Sequence, residues 1–373
     1  MNNKLKHLKS IIAKNRIDAV LISSVPNIIY LTGYSGFSYF EREAFLLISK
    51  KIVTQPQGLK HKTPGVYGYI LTDGRYSEAV SNIPGFKLLE ISNNNSLDDI
   101  FKSLSKNINK IGIEEDDISL SESKKLKKYF KLIPLKDLEN LRIVKEESEV
   151  LKIQKACQIG DEAFKYILGK IKSGITEKEL AFDLEYFIKK FADISFPPIV
   201  AFGKNSSIPH HQTNNEKLRT NNIVLLDFGV KFENYCSDMT RTVFFGKADD
   251  KFKKIYNTVL ESQHKAIDIL NSYILNRKSI SSRLVDKMSR NYILKNGYSS
   301  IPHSLGHGIG IEVHESPRLS PKSKDILKED MVFSIEPGIY IPNYGGVRIE
   351  DLVVLENKGV RLLTHSPKNL IEI

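Results

Sequence analysis

Five residues of metal-ligand type interrupt apolar segments in the second half of the 373-residue chain, and they constrain its fold most. They are Asp227 in LLDFGVKF, Asp238 in CSDMTRT, His307 in HSLGHGIGIEVHE, Glu336 in SIEPGIY and Glu350 in GVRIEDLVV. Each has a strand-like context, where an unpaired carboxylate is costly to bury. Four carboxylates and one imidazole suit hard divalent ions better than a structural zinc, whose sites are usually rich in sulfur. The fold is therefore expected to gather these segments around a pair of metal ions, which suggests hydrolysis.

Length and composition indicate a soluble protein of two domains. A chain of 373 residues exceeds one typical core, and its 41% hydrophobic and 27% charged residues are ordinary for a globular protein. Cys157 and Cys236 are too few for a disulfide framework, which favours a reducing compartment. The segment MNNKLKHLKSIIAKN lacks a continuous apolar core, and no stretch approaches the roughly 20 apolar residues that span a bilayer. We expect a cytoplasmic protein with no membrane partner.

The formal net charge of +11 raises the question of a nucleic-acid partner. The lysines are dispersed among acidic residues, as in SESKKLKKYFK and KADDKFKK, and there is no arginine-rich block or Cys/His finger. This pattern favours a solvated lysine-rich surface and no nucleic-acid partner.

Residues 1–140 are expected to form a mixed α/β domain, and the charged joint KDLENLRIVKEESE places the boundary. Helical stretches such as SESKKLKKYF alternate with short β-rich runs, namely IDAVLISS, NIIYLTG, AFLLIS, YILTDGRY, KIGIEE and KLIPL. The segment KKIVTQPQGLKHKTPGVYG contains several Pro and Gly residues and is expected to be an exposed loop or hairpin.

Residues 141–373 combine helices with strands, so the fold class is α/β (α+β). Apolar periodicity predicts helices in EESEVLKIQKACQIGDEAFKYILGK, DKFKKIYNTVLESQHKAIDILNSYI and SRLVDKMSRNYILKN, the last closed by Gly297. Thr176 and Glu179 form a capping-box pattern that starts a further helix.

Two β-rich runs flank Glu233-Asn234, which predicts a hairpin with a two-residue turn. Pairing Phe232 with Tyr235 then puts Asp227 and Asp238 on one face as diagonal neighbours, roughly 7–8 Å apart. Two like charges at that separation repel unless cations lie between them. The alternative is a turn aspartate and a strand-end cap.

Three histidines, His303, His307 and His314, fall within twelve positions. Intervening glycines at 306, 308 and 310 disfavour a helix, so this is not the helical HExxH arrangement. We expect an extended segment through His314, with glycines that let other groups approach the backbone.

The segments around Glu336 and Glu350 are expected to be strands joined by the turn Pro-Asn-Tyr-Gly-Gly. Arg348 shares a strand face with Glu350. An Arg348–Glu350 ion pair therefore fits this part of the pattern as well as a metal site does.

The order Asp, Asp, His, Glu, Glu in these motifs resembles the pita-bread metallopeptidases, specifically the Xaa-Pro aminopeptidases and Xaa-Pro dipeptidases. SVPNIIYLTGYSGF and LTDGRYSEA resemble their N-terminal domain, and SFPPIVAFGKNSSIPHHQ together with the five motifs resembles their catalytic domain. The resemblance covers nearly the whole chain. It implies a creatinase/prolidase-like domain at 1–140 and a pita-bread catalytic domain at 141–373.

By this resemblance the five residues bind two divalent metal ions, with Mn²⁺ expected and Co²⁺ or Zn²⁺ as alternatives, and Asp238 and Glu350 bridge both. Glu336 is implied as general base, and His314 and His210 as catalytic histidines near the scissile carbonyl. The residues implied on the substrate side are His303, Tyr340 and Arg348. His211 has no such counterpart.

The implied activity is that of an Xaa-Pro aminopeptidase, in which a metal-bridging hydroxide cleaves peptides that have proline at the second position. The alternative is a dipeptidase restricted to Xaa-Pro, for which Arg318 would bind the free carboxylate of the substrate. A methionine aminopeptidase is disfavoured by the full N-terminal domain. A metal-free pita-bread binding protein or a creatinase-like enzyme is disfavoured because all five ligand positions are filled. The resemblance also implies a homodimer.

Overall fold

The computed structural model describes residues 3–49, 68–136 and 138–373. The chain divides into two compact units, Met1–Leu141 and Arg142–Ile373, and the division falls within the charged joint. The segment expected to be an exposed loop or hairpin, residues 50–68, lies outside these ranges except for its last residue. Within the described ranges, every helix is too short or too polar to cross a membrane.

The first unit is built on a mixed β-sheet. Its strands are β1 (Ala19–Ile22), β2 (Ala44–Ser49), β3 (Gly68–Asp73), β4 (Phe86–Ile91), β5 (Lys110–Glu114) and β6 (Lys131–Leu135). Its helices are α1 (Asn3–Lys14), α2 (Val25–Thr32), α3 (Ser77–Val80), α4 (Leu97–Leu104) and α5 (Leu120–Leu126). The strand order is β4-β3-β2-β1-β5-β6, with β2 antiparallel to both its neighbours and the other pairs parallel. Apolar side chains such as Leu21, Leu47 and Phe101 form its core.

One β-rich run was assigned wrongly from the sequence, because NIIYLTG belongs to helix α2. Pro26 lies in the first turn, where a missing N–H is tolerated. The Glu114 carboxylate accepts hydrogen bonds from the backbone N–H groups of Ser23 and Ser24 just before the helix. Gly33 ends it with φ +78° and an N–H that donates to Ile29 O. Hydrogen bonds to Glu114, at the end of β5, thus stabilise a helix in a segment whose β-branched residues favour a strand.

The helices predicted for the second unit are confirmed. They are α6 (Glu147–Leu168), α7 (Glu177–Ile188), α8 (Asp250–Leu275) and α9 (Ser282–Lys295). Thr176 and Glu179 form both bonds of the capping box at the start of α7. Gly297, two residues past α9, has φ +85°.

The remaining strands form several small sheets. They are β7 (Asp193–Ile194), β8 (Ile199–Phe202), β9 (Asn222–Phe228), β10 (Val230–Phe232), β11 (Tyr235–Cys236), β12 (Met239–Phe245), β13 (Ile280–Ser281), β14 (Gly306–Gly308), β15 (Glu315–Leu319), β16 (Ile326–Leu327), β17 (Val332–Ile335), β18 (Gly338–Ile341), β19 (Gly345–Arg348), β20 (Asp351–Glu356) and β21 (Gly359–Leu362). Among the described residues their orders are β11-β10-β7, β12-β9-β8, β13-β16, β15-β14-β17-β20-β21 and β18-β19.

Two apolar clusters hold helices against these strands. One joins α6 and α7 to β8, β9 and β12, with Phe164 and Leu184 fully buried. The other joins α8 and α9 to β17, β19 and β20, with Phe252 and Phe333 fully buried. Helices packed on strands in both units make the mixed α/β class plain.

Candidate metal centre

The hairpin that carries the two aspartates has the predicted register. The turn residues Glu233 and Asn234 have φ of 44° and 73°, as the common two-residue hairpin turn requires. The pair directly across the turn is the predicted one, and the same register continues into β9 and β12, where Asp227 faces Thr240. Asp238 precedes β12 and is therefore the diagonal neighbour of Asp227. Both aspartates are buried.

Two glycines let the strand with His307 pass between its neighbours. A Cβ on Gly306 would lie 1.9 Å from Ser334 O, and one on Gly308 would lie 2.1 Å from Ser316 O. His307 Nδ1 is 3.1 Å from Gly308 O, which turns Nε2 towards the carboxylates. Nε2 lies 3.3 Å from Glu336 Oε1 and 3.6 Å from Asp238 Oδ2.

The extended segment expected through His314 ends at Gly308, and residues 310–314 form bends. Gly310 N donates to Glu312 O over 3.0 Å, and Glu312 N donates to Glu315 Oε1 over 3.2 Å, so local bonds replace strand pairing. The bends place the His314 ring 4.4 Å from the His307 ring, edge to face.

Glu336 and Glu350 both lie at interruptions between strands. Glu336 follows β17, and its N–H donates to Leu305 O over 2.8 Å. Glu350 precedes β20, and its N–H donates to Thr240 O over 3.1 Å. The expected turn between the strands is confirmed at residues 342–344.

The fold brings the predicted ligands into one cavity of about 660 Å³. Ligand atoms of Asp238, His307 and Glu350 lie within 4.8 Å of one another. Asp227 and Glu336 are not in that group of three, but both line the same cavity.

Two buried oxygens, Asp238 Oδ1 and Glu350 Oε1, accept no hydrogen bond from the described residues. Burying a carboxylate oxygen without a donor is unfavourable, and a cation removes that penalty. The oxygen-rich donor set with one imidazole therefore fits hard divalent ions.

Burial and neighbouring charges shift the pKa values of the carboxylates in opposite directions. Burial, together with the charges of Glu336 and Asp227, raises the pKa of Glu350 to about 8. Burial, then the charge of Glu350, raises the pKa of Asp238 well above its ordinary value. Although burial opposes it in each case, the His307–Glu336 hydrogen bond raises the pKa of His307 to about 9 and lowers that of Glu336 to about 2. These shifts favour an ion pair between His307 and Glu336 and the protonated form of Glu350 at neutral pH.

Arg348 pairs with Asp227, so the Arg348–Glu350 ion pair considered from the sequence is not formed. Its Nη2 lies 2.5 Å from Asp227 Oδ2, and its Nε donates to Thr240 Oγ1 over 3.0 Å. Thr240 Oγ1 in turn donates to Glu350 Oε2 over 2.7 Å. Among the described residues, the hydrogen-bonded path from Arg348 to Glu350 runs through the Thr240 hydroxyl. We missed Thr240 from the sequence, although the predicted register places it opposite Asp227.

The other predicted site residues lie around the same cavity. His210, His303, His314 and Arg318 line it, and Tyr340 OH is 2.8 Å from His303 Nε2 and accepts a 2.9 Å hydrogen bond from Arg348 Nη1. Burial lowers the pKa of His303. An apolar part of the wall, formed by Phe196, Ile199 and Val313, was not assigned from the sequence, although the motif SFPPIV carries two of these residues.

Comparisons with known proteins agree with this geometry. Residues 151–357 match metallopeptidase family M24, and residues 4–144 match the creatinase/prolidase N-terminal domain. A curated Xaa-Pro dipeptidase of Pyrococcus horikoshii is 34% identical over 378 residues, which cover 100% of this chain and 99% of the relative.

Solved structures extend the likeness to the whole fold. An Xaa-Pro dipeptidase from Bacillus anthracis has a TM-score of 0.88 and 34% identity, covering 100% of this chain and 99% of its own. An X-Pro aminopeptidase from Thermotoga maritima has a TM-score of 0.83 and 33% identity, covering 96% and 98%. The chain therefore belongs to metallopeptidase family M24, in its proline-directed pita-bread branch, and is an enzyme of that family with a creatinase/prolidase N-terminal domain.

Proposed function

We propose that this enzyme is an Xaa-Pro dipeptidase, which hydrolyses the bond between an N-terminal residue and a C-terminal proline. The observation that carries the proposal is the group of Asp238, His307 and Glu350, which opens on a cavity that Arg318 also lines. Relatives of similar length that bear the name Xaa-Pro dipeptidase support this choice over the aminopeptidase expected from the sequence.

The residues that would hold two divalent ions are Asp227, Asp238, His307, Glu336 and Glu350. Mn²⁺ is the expected metal, and Co²⁺ or Zn²⁺ would fit the same ligands. When bound, such ions polarise the scissile carbonyl and lower the pKa of a coordinated water.

The protein groups divide the remaining chemistry. Glu336 would accept the proton of the attacking water and pass it to the proline nitrogen as the peptide bond breaks. His314 and His210 would donate hydrogen bonds to the oxyanion. Burial and the charge of His307 lower the pKa of His314, which favours a neutral ring that still carries an N–H donor. His303, Tyr340 and Arg348 would hold this side of the cavity in place.

Arg318 is the feature that favours a dipeptide. Its side chain is exposed at the cavity and forms no ion pair with any carboxylate of the described residues. A free substrate carboxylate would therefore be its partner, in the forked geometry that guanidinium groups favour. Proline at that position has no amide N–H, so the site needs no acceptor for one.

A peptide panel tests the proposal. The protein is stripped with chelator, reloaded separately with Mn²⁺, Co²⁺ and Zn²⁺, and assayed on Ala-Pro, Ala-Pro-Ala and Ala-Ala. We expect Ala-Pro to be cleaved and Ala-Ala to resist. We expect Arg318→Met to lower kcat/KM for Ala-Pro about tenfold to a hundredfold, as the loss of a hydrogen bond to a charged group does. Lys322→Met, at an exposed lysine away from the cavity, is the matched control.

The second candidate is an Xaa-Pro aminopeptidase, which the relative from Thermotoga maritima favours. Equal or faster cleavage of Ala-Pro-Ala, with little effect of Arg318→Met, would select it. No cleavage of any Xaa-Pro bond with any of the three metals would reject both.

We also propose that the chain has an N-terminal domain at 1–140 and a catalytic domain at 141–373, and that it forms a homodimer. Family resemblance supports the dimer, and sedimentation equilibrium tests it: a species of one chain mass at micromolar concentration would reject it.

A further inference from the structure

A carboxylate outside the metal cavity, that of Glu177 in the first turn of α7, is completely buried. It accepts four hydrogen bonds. His211 Nε2, Phe202 N and Asn205 Nδ2 each lie 2.8 Å from one of its oxygens, and Asn214 N lies at 3.0 Å. The positive end of the α7 dipole also favours a negative charge here.

All four donors belong to one segment, residues 202–214, which carries His210 to the cavity. We call it the His210 loop. Its other side is bound to the strand before Glu350. Gly346 N donates to Ser206 Oγ over 2.8 Å, and Arg348 Nη1 donates to Pro209 O over 3.3 Å. His210 thus lies between two residues that hydrogen bonds hold in place, Pro209 through its carbonyl oxygen and His211 through its side chain.

The Glu177 carboxylate depends on this loop. Among the described residues, the imidazole of His211 is the sole basic group within ion-pair distance of it, and no lysine or arginine is. Because a buried carboxylate without donors is costly, α7 and the His210 loop stabilise each other. His211 is buried, and its side chain does not line the cavity, so its contact with Glu177 is its principal one.

We propose that Glu177 and His211 are positioning residues, which act on the reaction through His210 by fixing the His210 loop. The inference rests on the proposed function, in which His210 stabilises the oxyanion. It also gives a role to His211, for which the sequence offered none.

Glu177→Gln tests the proposal directly. The amide oxygen can still accept from Phe202 N and Asn205 Nδ2, but the amide NH₂ then faces the Asn214 N–H and the His211 ring. We expect kcat on Ala-Pro to fall about tenfold to a hundredfold, as small displacements of catalytic groups do, with KM changed little. Metal content should stay at the wild-type level.

Glu179→Gln is the matched control. It makes the same chemical change in the same helical turn, where the Glu179 carboxylate bonds, among the residues the structure describes, only with Thr176. We expect it to leave kcat within about twofold of wild type. Should the Glu177 variant lose no more activity than this control, the proposal is overturned.

A double-mutant cycle separates positioning from general destabilisation. In a His210→Ala background, Glu177→Gln should lower kcat by no more than about twofold, because the group it positions is gone. An equal loss in both backgrounds would mean that Glu177 does not act through His210.

Substitutions of His211 give a second route, which holds even if the Glu177 variant fails to fold. His211→Gln keeps an N–H donor and should retain most of kcat, whereas His211→Leu should lose as much as Glu177→Gln. Equal activity of the two His211 variants would contradict the proposal.

NMR distinguishes this inference from the proposed function. In metal-free protein with labelled histidines, the His210 imidazole signal, assigned with His210→Ala, should shift or broaden in Glu177→Gln and not in Glu179→Gln. An unchanged signal overturns the positioning role whatever the activity. A changed signal in a protein that cleaves no Xaa-Pro bond supports the placement of His210 while rejecting the peptidase proposal.

Discussion

The protonation pattern at Glu350 and His307 links metal binding to pH. A carboxyl with a pKa of about 8 and an imidazolium with a pKa of about 9 both hold protons at pH 7 in the metal-free protein. Each must lose its proton to bind a cation. The fold thus favours the protonated forms of Glu350 and His307, two of the proposed ligands.

We therefore predict that metal binding at pH 7 releases protons, and that apparent affinity rises with pH up to about pH 9. The sign follows because both pKa values lie above 7, so raising the pH removes competing protons. Calorimetry of Mn²⁺ binding in two buffers of different ionisation enthalpy would measure the release. Identical heats in both buffers would contradict it.

The Thr240 hydroxyl connects Arg348 to Glu350, and it should orient the carboxylate for its ions. We predict that Thr240→Val weakens metal affinity about tenfold to a hundredfold, the usual effect of losing a group that orients a ligand. Thr258→Val is the control, since within the described part of the chain that buried hydroxyl bonds only to Lys254 O, in its own helix α8. Similar affinity losses in the two variants would show that the Thr240 contact has no special role.

At the scale of the element, sequence patterns succeeded where the determinants are local. The capping box of α7 and the turn at residues 233–234 each depend on neighbouring residues. The capping box was predicted with its two residues, and the turn with the register of its hairpin. The prediction of a strand in place of helix α2 was wrong because the N-terminus of this helix is capped by Glu114, which is 90 residues from Ser24 in sequence. The prediction of an extended segment after Gly308 was wrong for a similar reason. A glycine-rich segment can follow many backbone paths, and the hydrogen-bond partners that select one of them cannot be read from the sequence.

The close passage of β14 gives a prediction on stability. Gly306→Ala would bring a Cβ to 1.9 Å from Ser334 O, which is backbone and cannot move alone. We predict a loss of at least about 1–3 kcal/mol in the free energy of unfolding, as overpacking causes.

Gly160→Ala, in α6, is the matched control, because a Cβ there would lie 3.9 Å from Ser237 Oγ and Val230 Cγ2, which is ordinary contact. It should raise the free energy of unfolding by about 0.4–1 kcal/mol. Denaturant titrations of both variants measure the difference, and a Gly306 variant as stable as wild type would contradict the structure of this sheet.

At the scale of the molecule, the sequence motifs named five candidate ligands, because each motif carries its own residue type, and all five line one cavity. The hydrogen-bond partners of these residues were not predictable. Arg348 forms its ion pair with Asp227, and it is connected to Glu350 through the Thr240 hydroxyl. The length of peptide that the enzyme accepts likewise depends on contacts in the cavity that the sequence does not reveal. For this specificity, the relatives support a dipeptidase better than the aminopeptidase expected from the sequence.

All five proposed ligands belong to the unit Arg142–Ile373, so metal should stabilise that unit in particular. We predict that Mn²⁺ at 100 times its Kd raises the free energy of unfolding by about 2.7 kcal/mol and slows amide exchange within residues 142–373. Asp238→Ala should abolish both effects while the exchange pattern of Met1–Leu141 stays as in wild type. Equal protection by Mn²⁺ in the variant would place the metal elsewhere.

The most direct measurement is anomalous diffraction from crystals grown with Mn²⁺. We predict two anomalous peaks per chain in the cavity, both within coordination distance of Asp238 and Glu350, with Asp227, His307 and Glu336 completing the shells. Peaks at other sites only, or none at saturating Mn²⁺, would contradict it.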